Sequence, residues 1–86
     1  MNKSNKINEL YHFTSGDEVK IDRLDISGTM RRRLLDLGFV PGATVKVLQR
    51  SPLGDPIAFA VSDTVIALRK EESSKIYATK IGGESR

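Results

Sequence analysis

Apolar and polar positions along this chain change period as they are read from the first ordered-looking segment to the last. From Glu18 to Asp22 they alternate, with Val19 and Ile21 on one side, the period-two pattern of a half-buried strand. Leu24 and Ile26 carry the apolar side onward. The period then lengthens: Met30, Leu34 and Leu37 stand at i, i+4 and i+7 with Leu35 beside them, one face of an amphipathic helix. Ser27 is placed to cap that helix, its hydroxyl accepting from an N–H of the first turn. Gly38 stands where a left-handed residue closes a helix, and Phe39 where it packs back on Leu34. Pro41-Gly42 forbids continuation and fits a tight turn.

The period returns to two for the rest of the chain. Val45 and Val47 share a face of Ala43–Arg50; Ile57, Phe59 and Val61 share a face of Ile57–Val61; Ile66 and Leu68 share a face of Thr64–Leu68. Ser51-Pro52-Leu53-Gly54-Asp55-Pro56 joins the first pair as a turn-rich loop, and Ser62-Asp63 is short enough for a tight hairpin. Arg69 to Ser74 is polar and suits one helical turn, and Lys75 to Thr79 reads as a last strand. About five short strands in a chain of 86 residues predict a mainly β fold. The expectation is a small SH3-like barrel with an α-helix inserted between strands one and two, since closing a sheet removes its exposed edges. A five-stranded barrel of the OB type is the competitor, but its helix usually falls between strands three and four. Residues 1–15 read as a polar leader, either a short helix on the spacing of Ile7, Leu10 and Tyr11 or a disordered end; residues 16–81 read as the barrel and 82–86 as a flexible tail.

Composition narrows the function classes. There are no cysteines, which removes disulfides, thiolate metal sites and cysteine nucleophiles together. No apolar run approaches the length that crosses a bilayer, and the polar start lacks the apolar segment of a secretory signal, so a soluble intracellular chain is expected. The net charge of +3 is concentrated: residues 28–38 hold +2 of it, through Arg31, Arg32 and Arg33 against Asp36. A nucleic-acid binder usually shows a broad basic face with aromatics for stacking, and here one triplet and five Phe and Tyr residues disfavour that class. The only histidine is His12, no side chain has an evident activating base, and no Gly-x-x-x-x-Gly-Lys phosphate loop is present. The chain therefore reads as a non-enzymatic module with no cofactor.

The stretch Met30-Arg31-Arg32-Arg33-Leu34-Leu35-Asp36-Leu37-Gly38-Phe39-Val40-Pro41-Gly42 is the most distinctive. With Val45-Lys46-Val47, Ser51-Pro52-Leu53-Gly54-Asp55-Pro56-Ile57 and Ile66-Ala67-Leu68-Arg69-Lys70-Glu71-Glu72, it resembles the FeoA family of small bacterial ferrous iron transport proteins. The resemblance spans about residues 17–80. It implies an SH3-like barrel in the cytoplasm that acts with FeoB, the membrane ferrous iron transporter with a cytosolic GTPase domain, and is recruited to the inner face of the membrane through that partner. It also implies kinship with the barrel at the C-terminus of some iron-dependent repressors. The alternative function is accordingly a regulatory barrel that binds a peptide or a metal. In one departure the Ser62-Asp63 turn lacks the glycine common there in the family; Asp63 is the residue expected to take the positive φ.

Candidate contact residues follow from position. Leu53 sits between Pro52 and Gly54 at a loop tip, either exposed for a partner or folded over the barrel mouth. Arg31 and Arg32 offer a basic face to an acidic partner, or are a solvated outer face whose stems cover the barrel. Leu53, Pro52, Gly54, Arg31 and Arg32 are the predicted partner-binding set. Glu9 and His12 have ligand spacing, but one pair is too few for a tight metal site. Weak self-association stays open.

Overall fold

The computed structural model describes residues 6–82. Six strands make one antiparallel sheet: β1 (Ile7–Glu9), β2 (Glu18–Leu24), β3 (Thr44–Arg50), β4 (Ile57–Val61), β5 (Thr64–Leu68) and β6 (Ile76–Gly82). Their order is β1-β6-β2-β3-β4-β5. Helix α1 (Gly28–Leu37) lies between β2 and β3, and the single turn α2 (Lys70–Ser73) between β5 and β6. With β1 set aside, the last strand pairs with the first and the rest follow in sequence. This is an SH3-like arrangement with its helix where the sequence placed it.

Curvature comes from irregular pairing. Register shifts fall between Glu18 and Val19 and between Ile21 and Arg23 where β2 meets β6, and between Val47 and Gln49 where β3 meets β4. Each shift bends its strand and increases the local twist, which rolls the sheet around one core. Val19, Ile21, Val45, Val47, Phe59 and Ile76 are buried in that core, and Phe39 and Phe59 meet edge to face at 6.2 Å.

The helix ends as the sequence dictates. Gly38 is left-handed at φ 114°; its N–H donates to the Leu35 carbonyl and the Phe39 N–H to the Leu34 carbonyl, both at 3.0 Å. Leu34 and Phe39 are fully buried together, and Met30 and Leu37 pack on the same core. A Cβ on Gly38 would stand 2.6 Å from Val61 Cγ1, so glycine is required for space as well as for φ. The start of the helix differs from expectation: Ser27 makes no side-chain cap.

Three other differences have local causes. Ile7, Leu10 and Tyr11 do not form a helix: Ile7–Glu9 is a strand paired with β6, and Leu10–His12 is a turn of 3-10 helix. Leu10 is fully buried and Phe13 joins the core, so the packed body already includes this segment and the sheet has a sixth strand. The β4–β5 hairpin takes its positive φ at Ser62, at 56°, and not at Asp63. Gly82 closes β6, while residues 83–86 of the expected tail lie outside the described residues.

Asp17 ties the turn before β2 to β6. Its carboxylate accepts from the Thr14 N–H at 3.0 Å and the Thr14 hydroxyl at 3.2 Å, and meets Lys80 Nζ at 3.2 Å. Burial alone would raise its pKa; the bond from the Thr14 backbone, Lys80 and the Thr14 hydroxyl outweigh burial and hold it below the ordinary value.

Two outcomes are expected. Gly38→Ala should lose about 2 kcal/mol or more, through the left-handed backbone and the clash with Val61, as measured by urea unfolding. The ionised form of Asp17 is favoured by folding, so its contribution is complete above the unfolded carboxyl pKa and is lost as pH falls through the lower folded value. Asp17→Asn should therefore lower stability by about 1–2 kcal/mol at neutral pH, with the gap from the parent chain closing below about pH 4 in thermal melts.

Candidate functional site

The β3–β4 connection is a loop whose backbone is tied down while its tip faces solvent. Pro52 fixes one φ of the turn Ser51–Gly54, which closes through the Gly54 N–H donating to the Ser51 carbonyl at 2.8 Å. The Ser51 hydroxyl donates to the Asp55 carbonyl at 2.7 Å and accepts from the Asp55 N–H at 3.0 Å. The Ser51 N–H donates to the Pro56 carbonyl at 3.1 Å. The Asp55 carboxylate accepts from the Lys70 N–H at 2.7 Å, which fastens the loop to the start of α2. On this frame Leu53 is 93% exposed. Of the two conformations open to it from sequence, the structure shows the outward one.

Arg50 anchors the loop from the end of β3. Its guanidinium donates to the Gly54 carbonyl at 3.5 Å, to the Phe13 carbonyl at 3.2 Å, and to the Tyr11 carbonyl. It also lies 4.9 Å from the centre of the Tyr11 ring, with Lys70 Nζ 5.3 Å from the same ring. One planar cation thus joins the turn after β1 to the loop that carries Leu53. Sequence reasoning missed Arg50, because a polar residue at a strand end carries no mark of what it will touch. At the foot of the loop an open hollow of about 240 Å³ is lined by Gln49, Arg50, Ser51, Pro56, Ala58 and Ala67.

The arginines of α1 divide. Arg31 and Arg32 are exposed and make no ion pair among the described residues. Arg33 Nη1 meets Glu72 Oε2 at 3.3 Å, and the other oxygen of Glu72 accepts from the Arg69 N–H at 2.9 Å. With the Arg33 side chain 57% exposed, this pair contributes well under about 1 kcal/mol and serves to orient α1 against α2. Leu53, Pro52 and Gly54 therefore form one tip and Arg31 and Arg32 lie on a separate element. The structure does not bring the two parts into contact, but α2 neighbours both, through Asp55 and Lys70 on one side and Arg33 and Glu72 on the other.

Glu9 Oε1 and His12 Nε2 lie 3.2 Å apart at the surface. Among the described residues no group of three or more His, Cys, Asp or Glu side chains is placed to hold a metal ion, and no helix is long and apolar enough to cross a membrane.

Comparison with known proteins gives concordant findings. The family model of the FeoA domain matches residues 8–80. An Fe(2+) transport protein A/Fe(2+) transporter FeoB fusion protein of Porphyromonas gingivalis is 38% identical over 80 residues, covering 93% of this chain and 9% of its own length. The solution structure of iron(II) transport protein A from Clostridium thermocellum superimposes with a TM-score of 0.82 at 36% identity, over 85% of this chain and 45% of that one. This chain thus spans under half the length of either. A manganese-dependent transcriptional repressor superimposes with a TM-score of 0.79 at 19% identity, over 92% of this chain and 44% of the repressor, a likeness of fold alone.

Arg50→Ala should loosen the loop without unfolding the barrel. Hydrogen exchange at Gly54 and Asp55 is expected to rise about tenfold, and stability to fall by about 1–2 kcal/mol as carbonyls of Tyr11 and Phe13 lose their donor.

Proposed function

Because this chain belongs to the FeoA family of ferrous iron transport, we propose that it is a non-enzymatic accessory module of ferrous iron uptake. It works in the cytoplasm and docks on the cytosolic GTPase region of an FeoB-type membrane transporter, adjusting the transporter's assembly or activity. The observation that carries this reading is the relative in which a domain like this one and the transporter share a polypeptide. Fusion holds two modules at high effective concentration, and separate chains that act together need a contact surface in its place.

The Leu53 tip has the physical character of such a surface. An apolar side chain exposed on a hydrogen-bonded turn has little backbone entropy left to lose on binding, so most of its burial is available as affinity. Arg31 and Arg32, which make no ion pair among the described residues, add positive charge that steers an acidic partner more than it tightens the complex. The reading of the chain as a repressor-like barrel for a peptide or metal has fold likeness behind it, and among the described residues no group of three or more His, Cys, Asp or Glu side chains is placed to hold a metal.

Calorimetry with the purified cytosolic region of the transporter tests the proposal. Leu53→Asp is expected to weaken binding about tenfold or more, as loss of a buried apolar anchor does. Arg32→Glu is expected to slow association and reduce its salt dependence. Unchanged binding by both folded variants would place the contact elsewhere, and no binding by the parent chain would remove the proposed partner.

A further inference from the structure

The sheet has two outer strands, and they are treated differently. β1 is three residues long and includes polar Asn8 and Glu9. β5 runs Thr64-Val65-Ile66-Ala67-Leu68, pairs only with β4, and has no charge, no proline and no register shift along its length. Proteins ordinarily blunt an outer strand with one of these devices, because its unpaired N–H and C=O groups invite another strand. Val65, 64% exposed, and exposed Ala67 stand on the outer face.

The geometry of the hairpin shows which backbone groups are free. Val61 and Thr64 are partners across a connection of Ser62 and Asp63, so they form the hydrogen-bonded closing pair. Alternation then assigns Thr64, Ile66 and Leu68 to the ladder with β4 and turns the N–H and C=O of Val65 and Ala67 to the open side.

We infer that β5 pairs antiparallel with β5 of a second copy of this chain, about a two-fold axis at Ile66. That register opposes Val65 to Ala67 of the other copy, the two residues whose backbone groups point outward, and closes four hydrogen bonds across the axis. The same register opposes Asp63 to Arg69, once on each side of the axis. Both residues are exposed, flank the uncharged strand, and make no ion pair among the described residues. The segment Asp63–Arg69 is thus self-complementary in hydrogen bonding and in charge, which singles out a copy of itself among extended partners. The pairing is closed, because it uses both β5 edges and leaves none for a third chain.

Sedimentation equilibrium from about 10 µM to 1 mM, the range suited to a small interface, tests this. A monomer–dimer equilibrium that weakens with salt is expected. Val65→Lys, which places the usual edge-blocking residue on an exposed position, should weaken the dimer about tenfold or more. Asp63→Arg and Arg69→Asp should each weaken it several-fold by opposing like charges, and the double swap Asp63→Arg with Arg69→Asp should restore it. Circular dichroism establishes that each variant is folded. Hydrogen exchange of the parent chain needs no substitution: the amides of Val65 and Ala67 should gain protection with concentration while those of β1 do not. A monomer at every concentration, assembly beyond two copies, a Val65→Lys dimer as tight as the parent, or charge variants whose effects add without rescue would each overturn the inference.

Discussion

Six strands hydrogen-bonded in one row have two ends, and contacts outside the ladder help to hold a rolled sheet together. In this protein the Arg50 guanidinium makes the largest group of such polar contacts between the turn after β1 and the β3–β4 loop. It reaches from the end of β3 to the carbonyls of Tyr11 and Phe13 beyond β1 and to Gly54 beyond itself, and it shares the Tyr11 ring with Lys70 beyond β5. An arginine suits the place because its donors lie in a fixed plane and its flat face accepts an aromatic neighbour. The bulges in β2 and β3 supply curvature, the buried side chains supply adhesion, and Arg50 ties the turn after β1 to the Leu53 loop. With Ser51 and Asp55 it holds the backbone of that loop in place.

The parts of this fold legible in the sequence are those where a single position satisfies two local demands. Gly38 ends α1 and clears Val61; Phe39 follows it and buries against the helix it leaves; Pro41 and Gly42 turn the chain, with the Ala43 N–H closing on the Val40 carbonyl at 2.9 Å. Such signals are contained in a few consecutive residues. The parts that were not legible depend on partners far along the chain. Leu10 is buried, yet its spacing from Ile7 and Tyr11 fits a strand running into a 3-10 turn as well as a helix, and only pairing with β6 decides between them. Arg50 and Arg33 look alike as isolated cations, and one holds three carbonyls while the other leans on Glu72. Of the candidate site, the exposed turn at Leu53 could be anticipated from Pro52 and Gly54, but its outward direction is set by Ser51, Asp55 and Arg50 acting on the backbone.

The economy of a core this small also explains where the free chemistry lies. Nearly every strand commits its inward side chains to burial, and the buried carboxylates, Asp17 and Glu72, are each used in holding elements together. Asp17 has its oxygens filled by Thr14 and Lys80, and Glu72 by Arg33 and the Arg69 N–H, so neither is left as an acid or base aimed into open space. Among the described residues the features left at the periphery include an apolar tip at Leu53, two arginines on α1 and the outer strand β5. In the proposed function and the proposed pairing these are what another macromolecule would meet.

Two of these features meet at α2. The Asp55 carboxylate of the Leu53 loop holds the Lys70 N–H, and Lys70 follows Arg69, the residue that ends the bare edge. Fixing Arg69 across a two-fold axis would act on the loop through a single shared peptide, and docking at Leu53 would act back on the edge. Linkage makes any such influence reciprocal: a partner that tightens on the paired form must favour pairing by the same factor. The short path sets no direction by itself, because a rigid peptide can as well transmit a clash as a preference. The sign depends on whether the Lys70 N–H keeps its bond to Asp55 when the edge is occupied. If it does, the loop is stiffened and self-pairing favours a partner at Leu53; if the bond is drawn away, the loop loosens and the two contacts compete.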